Sequence, residues 1–306
     1  MIVILIEKII SLFLILLLGV LLVRSHILKA QDSRTLSALC IYLIMPCVIL
    51  EAFQVTYTKE IRNGLILAIA AALLIHILWF GLVQIVGLVF HLDAVEKTSI
   101  MYSNAGNLII PLVTAMLGQE WVIYSSAFVS VQLFWMWSHG KMVLCGEKKI
   151  EVKKVVTNIN MISVFAGILL FVFQIHFPKP LDDALSSIGQ MVGPIAMLVT
   201  GMLIGNMNLK GIVAYKRIWL TTFLRLIVFP AAALLLLKFG GMASFAKDGK
   251  EILLISFLAT MTPSASSITQ MAQIYGKDAD YASVINVVTT LLCVITMPIM
   301  TSLYQM

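Results

Sequence analysis

Residues 103–111 of this chain read SNAGNLIIP, and they lie within an apolar segment, residues 98–117, that is long enough to cross a bilayer. A helix in lipid has no water to satisfy loose backbone groups, so membrane helices are normally apolar throughout. Here two asparagines, a glycine and a proline fall within eight residues. Pro111 has no backbone N–H to donate, and its ring clashes with the carbonyl group four residues earlier. The sequence therefore predicts that the helix breaks between Ser103 and Pro111.

A second interruption is predicted at residues 260–267, which read TMTPSASS and also lie in the middle of an apolar segment. Pro263 follows Pro111 by 152 residues. Paired interruptions in the two halves of a chain are typical of the binding site of a secondary transporter. The two stretches therefore indicate a transporter whose substrate site lies where two helices are broken.

The composition is that of a membrane protein. The 306 residues are 60% hydrophobic and 12% charged, with a mean hydropathy of +1.01, whereas soluble domains carry about 25% charged residues. The 21 lysines and arginines outnumber the 15 acidic residues, but they are spread over many short loops. This distribution is explained by the positive-inside rule and does not indicate a nucleic-acid partner. The four cysteines show no metal-ligand spacing, so we expect free thiols, no metal site and no cofactor.

A spanning helix needs about 20 apolar residues, and on that length the chain is predicted to be an all-α membrane protein with ten transmembrane helices. The predicted spans are residues 2–23, 36–56, 63–90, 98–117, 120–144, 158–177, 182–205, 217–239, 250–272 and 281–304.

The most basic loop, residues 140–157, divides the ten spans into five and five. Because five is an odd number, the second half enters the membrane with the opposite orientation. The chain is therefore predicted to be one transmembrane transporter domain, residues 1–306, built from two inverted five-helix repeats, residues 1–145 and 155–306.

The orientation follows from the basic residues of the loops. The odd-numbered loops hold thirteen lysines and arginines, and the other side of the membrane, including the N-terminal segment, holds seven. The positive-inside rule then places the odd-numbered loops in the cytoplasm and both termini on the non-cytoplasmic side of the cytoplasmic membrane. A cluster in the middle loop is expected to contact anionic lipid head groups. It consists of Lys148, Lys149, Lys153 and Lys154.

Several motifs, in order along the chain, resemble those of the auxin efflux carrier family, which includes bacterial permeases and the plant PIN carriers. They are YLIMPCVI at 42–49, NAGNLIIP at 104–111, the glycine-rich segment at 189–205, RLIVFP at 225–230 and MTPSASSITQMAQIYGKDADYAS at 261–283. Ile109 departs from the family pattern, which usually has a second glycine there. The resemblance covers essentially the whole chain. It implies a scaffold domain, a transport domain and two broken helices, spans four and nine, that cross at their breaks.

The two interruptions are expected to form the substrate site. The half-helix after each break presents unpaired N–H groups and the positive end of a helix dipole, which attract a carboxylate. Polar side chains at the breaks would add directed hydrogen bonds, although they would equally serve to cap the broken helices. The candidate substrate-binding residues at the breaks are Asn104, Asn107, Pro111, Pro263, Ser264 and Ser266.

Four further residues are candidates with a structural alternative. Arg225 is the only lysine or arginine deep within a span, and it would either neutralise a substrate carboxylate or tie broken-helix carbonyl groups together. Gln132 and Gln270 would either line a cavity or hydrogen-bond neighbouring helices. His76 lies mid-span and would either carry a coupling proton or pack as a neutral side chain.

The function predicted from these features is secondary active transport of a small organic anion, a mono- or dicarboxylate. The resemblance implies alternating access by an elevator-type or rocking movement. Proton or sodium coupling is left open. The alternative is a membrane sensor or channel on the same scaffold. An enzyme is not expected, since the chain lacks the paired aspartates, HExxH helix or serine–histidine pair of intramembrane proteases.

The partners expected besides the substrate are the lipid bilayer and a second copy of the chain. The glycine ladder of span seven indicates close helix packing, either within the chain or across a homodimer. Its members are Gly189, Gly193, Gly201 and Gly205.

Overall fold

The computed structural model describes residues 2–146, 153, 156–206 and 215–306, which form helices joined by short loops. Lys148, Lys149 and Lys154 of the predicted basic cluster lie outside the described residues. The helices are α1 (Ile2–Arg24), α2 (Ala30–Ala52), α3 (Lys59–Val89), α4 (Ala94–Met101), α5 (Ala105–Met116), α6 (Val122–Trp135), α7 (Ile159–Phe173), α8 (Lys179–Gly189), α9 (Val192–Asn206), α10 (Ile218–Phe239), α11 (Gly249–Met261), α12 (Ser266–Ile274) and α13 (Ala279–Gln305). No β-strand occurs in this described part, which contains a single isolated bridge.

The helices correspond to the predicted spans, but not always as unbroken rods. Each of the ten predicted segments is helical over most of its length. Within the described residues, six helical segments are long and apolar enough to cross a membrane, and α5 and α7 are shorter apolar helices. The chain is therefore an all-helical, multi-pass membrane protein, while the number of ten spans stays a prediction.

Polar side chains fix where several helices begin. Thr58 Oγ1 accepts a hydrogen bond from the Ile61 N–H at the start of α3, at 3.1 Å. Asp93 and Glu96 form a reciprocal capping box at the start of α4, with distances of 2.8 and 3.0 Å. These bonds satisfy N–H groups that the first turn of a helix leaves without an intrahelical partner.

The first predicted break is real, but its predicted position is wrong in part. The chain leaves the helix only at 102–104, between α4 and α5, and Pro111 lies inside α5. The break forms where backbone groups find partners in the second break, not where the proline removes an N–H. Pro111 is accommodated beside Gly193, where an added Cβ atom would lie 3.1 Å from the proline ring.

The second break, at 262–265 between α11 and α12, falls within the predicted stretch and contains Pro263 itself. Pro111 and Pro263 therefore do not occupy equivalent positions, although the sequence analysis paired them. The residues that do face each other across the two breaks are Ser103 and Ser264.

The glycines of α9 pack against other helices of the same chain. A Cβ atom added at Gly201 would lie 2.0 Å from the Leu16 carbonyl oxygen, and one added at Gly19 would lie 2.5 Å from the Leu198 carbonyl oxygen. The backbones of α1 and α9 therefore touch, as small residues allow in membrane helices. Packing within the chain accounts for Gly201 without a second copy.

Candidate functional site

The two breaks are hydrogen-bonded to each other through their backbones. The Asn104 N–H donates to the Pro263 carbonyl oxygen at 2.8 Å, and the Ala265 N–H donates to the Tyr102 carbonyl oxygen at 3.0 Å. A backbone N–H or C=O group that has no hydrogen-bond partner in a water-free environment costs on the order of several kcal/mol. This antiparallel bridge therefore supplies hydrogen-bond partners for backbone groups that each interruption would leave unpaired.

A polar side chain from a neighbouring helix supports each bridge residue. Gln132 accepts hydrogen bonds from the Ser103 N–H and hydroxyl through Oε1, and its Nε2 donates to the Ser103 carbonyl oxygen at 2.8 Å. On the other side, Asn286 Nδ2 donates to the Ser264 carbonyl oxygen and Thr289 Oγ1 accepts from the Ser264 N–H at 3.1 Å. Gln132 thus holds the first break in place in addition to facing the cavity described below.

Arg225 holds the ends of the two helices that precede the breaks. Its guanidinium donates to the Ile100 carbonyl oxygen at 3.0 Å and to the carbonyl oxygens of Thr260 and Thr262 at 3.1 and 2.7 Å. The guanidinium also lies over the Trp79 ring, 5.3 Å from its centroid. A helix carries the negative end of its dipole at its C-terminus. A fully buried cation where α4 and α11 end therefore stabilises both ends together.

The helices that follow the breaks begin at a common cavity. The first turns of α5 and α12 contribute to a cavity of about 90 Å³, here called the inner cavity. Its polar lining includes Cys40, Ser103, Asn104, Asn107, Gln132, Asn160, Thr200, Ser266, Ser267 and Gln270. Because the N-terminal turns present N–H groups and positive dipole ends, this space favours a negatively charged group. Its size suits a carboxylate or several water molecules.

The two predicted asparagines form a small network at the inner cavity. Asn107 Nδ2 donates to Asn104 Oδ1 at 3.0 Å, and the Cys40 thiol lies 3.9 Å from Asn107 Oδ1. Asn104 is the residue preceding α5, yet its side chain does not cap that helix. The amides are therefore held in orientation by each other and not by the helix terminus.

A larger cavity continues from the inner one. This wide vestibule has a volume of about 620 Å³ and shares Ser37, Ser266 and Gln270 with the inner cavity. It extends along α2 to Ala30 and Arg34. The wide vestibule therefore adjoins the inner cavity on the side where α2 begins.

Five of the predicted site residues do not line the inner cavity. Among the described residues, its lining does not include Pro111, Pro263, Ser264, Arg225 or His76. Pro111 borders a separate cavity of about 320 Å³ with Lys8 and Glu51. The Ser264 hydroxyl is buried and has no hydrogen-bond partner among the described residues.

His76 is enclosed by aromatic rings. Its Nδ1 lies 2.7 Å from the Ala72 carbonyl oxygen, and the Trp79 and Phe128 rings are 5.9 and 5.4 Å away. Nε2 has no hydrogen-bond partner in the described part of the chain. This environment is that of a packed side chain, and no described contact links the imidazole directly to the inner cavity.

Polar groups that lie at the ends of the predicted spans were not predicted from the sequence. Glu96 is fully buried and pairs with Arg217 at 2.7 Å, and the Tyr281 hydroxyl donates to it at 3.0 Å. Glu96 thus links the start of α4 to Arg217, which directly precedes α10, and to Tyr281 in α13. The capping-box pattern of Asp93 and Glu96 was a visible signal, whereas nothing in the sequence paired Glu96 with a residue 121 positions later.

Cys40, Asn160, Thr200 and Asn286 were also missed as residues at the cavities. Each lies in a largely apolar helix that also holds other polar residues, so local sequence does not distinguish it from a residue that bonds its own backbone. Within the described residues, no group of three or more His, Cys, Asp or Glu side chains could hold a metal ion.

Comparison with known proteins identifies a family. A family model described as membrane transport protein matches residues 4–154 and again residues 148–301, which together cover nearly the whole chain. No curated protein matches the chain.

Proposed function

This chain belongs to the membrane transport protein family, the family of auxin efflux carriers and PIN-type transporters, and on that premise we propose that it is a secondary transporter of a small organic anion, a mono- or dicarboxylate. The family is one of transporters and not of enzymes. The observation that carries the choice of an anion is the meeting of two helix N-termini, those of α5 and α12, at the inner cavity.

The residues proposed to contact the substrate are those that line this cavity. Asn104 and Asn107 would donate amide hydrogen bonds to a carboxylate, and Ser266 and Gln270 would complete the opposite wall. Arg225, Pro263 and Ser264 would act indirectly by shaping the breaks. Gln132 would both hold Ser103 and face the substrate.

The proposed architecture is ten spans in two inverted five-helix repeats, residues 1–145 and 155–306, with spans four and nine crossing at their breaks. The backbone bridge between Ser103 and Ser264 supports the crossing. The excess of basic residues in the odd-numbered loops supports a position in the cytoplasmic membrane with both termini on the non-cytoplasmic side.

Transport would proceed by displacement of the broken-helix bundle against the other helices. The tight backbone contact between α1 and α9 suits a static scaffold, because separating those helices would lose close packing at Gly19 and Gly201. Coupling would use protons or sodium ions, with His76 as the proton candidate, and a homodimer remains part of the proposal.

Uptake by purified protein in liposomes tests the function. We expect saturable uptake of labelled malate or of one member of a monocarboxylate panel, with a dependence on an imposed proton or sodium gradient. Replacing both amides, Asn104→Ala with Asn107→Ala, is expected to lower kcat/KM at least tenfold, because lost hydrogen bonds to a charged group amount to about 1.5–3 kcal/mol each.

The matched control is Asn63→Ala, which removes an amide that hydrogen-bonds Arg62 away from the inner cavity. Melting temperatures of all variants separate loss of transport from loss of folding. If well-folded wild-type protein takes up none of the anions, the organic-anion assignment is wrong, and cations and neutral solutes are the next substrates to measure.

A further inference from the structure

The lining of the wide vestibule carries one positive charge, which no described ion pair neutralises. Of the described residues that line this vestibule, Arg34 is the only charged one, and the others are polar or apolar. Its side chain is exposed, with no described hydrogen bond or ion pair. A cleft with low-dielectric walls and one sign of charge concentrates ions of the opposite sign.

The nearest acidic residue in the sequence, Asp32, does not line the vestibule and has no described ion pair with Arg34. The Asp32 carboxylate accepts a hydrogen bond from the Lys29 backbone N–H at 2.8 Å and is not among the vestibule residues. Residues two apart on a helix point to different faces. Arg34 instead shares its helix face with Ser37, Ala38 and Ile41, all of which line the vestibule.

The cavity near the other end of α1 has a different charge balance. It is the cavity of about 320 Å³ bordered by Pro111, and its described lining contains one basic residue, Lys8, and one acidic residue, Glu51. A pair of opposite charges produces little net field at a distance. The two cavities therefore differ in their attraction for an anion.

We propose that Arg34 is the anion-capturing residue of this transporter. Its charge makes the KM for an anionic substrate lower when the substrate enters from the side of the wide vestibule than when it enters from the opposite side. The inference rests on the proposed transport of an organic anion. The guanidinium acts before the substrate reaches the breaks: it raises the local concentration of the anion, which then moves along Ser37 and Gln270 to the inner cavity.

The test compares Arg34→Gln with Arg34→Lys and with Arg24→Gln, using labelled malate as the probe. Arg24 ends α1, is exposed and lines neither cavity, so its replacement removes the same surface charge without touching the vestibule. Uptake is measured in vesicles of both orientations, at about 20 mM and about 500 mM salt, since exposed charges are screened within a few ångströms at high ionic strength.

We expect Arg34→Gln to raise KM roughly tenfold at low salt, in one vesicle orientation only, and by less than about twofold at high salt. The value of kcat should not change, Arg34→Lys should retain most of the effect of the arginine, and Arg24→Gln should behave as wild type. An unchanged KM, an equal rise in both orientations, or a salt-independent rise overturns the capture role while leaving anion transport intact. Absence of anion uptake by folded wild-type protein overturns the transport function and the capture role together.

Discussion

Arg225 contacts the helix ends that precede both interruptions. It donates hydrogen bonds to three carbonyl oxygens from the ends of α4 and α11, and it is fully buried. Its replacement by methionine, which keeps much of the side-chain length, would leave these oxygens without their donors. We expect Arg225→Met to lower the free energy of unfolding by on the order of 3 kcal/mol and to lower the melting temperature in detergent with no substrate present.

Lysine and a distant cation provide the comparisons for Arg225. Arg225→Lys keeps the charge but has no planar fork to reach both helix ends, so its melting temperature should lie between those of wild type and Arg225→Met. Lys238→Met removes an exposed cation from the last turn of α10 and should change little. A wild-type melting temperature for Arg225→Met would show that the guanidinium does not brace the breaks.

At the scale of helices, the close contact between α1 and α9 predicts that a side chain at Gly201 destabilises the protein. A Cβ atom at Gly201 would lie 2.0 Å from the Leu16 carbonyl oxygen, a backbone atom that cannot move without the helix. We expect Gly201→Ala to cost about 1–3 kcal/mol, seen as a lower melting temperature. Gly81→Ala is the matched control, since nothing lies within 4 Å of its added Cβ atom. That variant should be neutral or more stable by up to about 1 kcal/mol. Equal melting temperatures for the two variants would contradict the close contact.

The helices could be predicted from the sequence to the extent that their determinants are local. Apolar segments and the stretch around Pro263 are local signals, and the second break was found where it was predicted. The first break was displaced toward Tyr102 because its position is set by hydrogen bonds to Pro263 and Ala265, more than 150 residues away. The local pattern marked Pro111, which instead remains helical beside Gly193.

The candidate site was predictable to a similar degree. Asn104 and Asn107 stood out because amides are rare in apolar segments, and both line the inner cavity. The two roles considered for Arg225 could not be separated, because choosing between them required knowing which carbonyl groups meet it. Arg34 was not predicted to be a functional residue, because the positive-inside rule already explains a basic residue in a loop region.

For the whole molecule, the charge distribution predicts on which side of the membrane each loop lies, and cysteine labelling can test that prediction. Single cysteines replace exposed loop residues in a Cys145→Ser background, because Cys40, Cys47 and Cys293 are buried. Ten spans with both termini outside place Lys29 and Lys277 in the cytoplasm, and Lys59 and Lys247 on the other side. An impermeant maleimide should therefore label cysteines at the latter two positions in intact cells and at the former two only after permeabilisation. Each pair contains one residue from each half of the chain. If cysteines at positions 29 and 277 were labelled from opposite sides of the membrane, the inverted five-and-five arrangement would be ruled out, even if every helix is present.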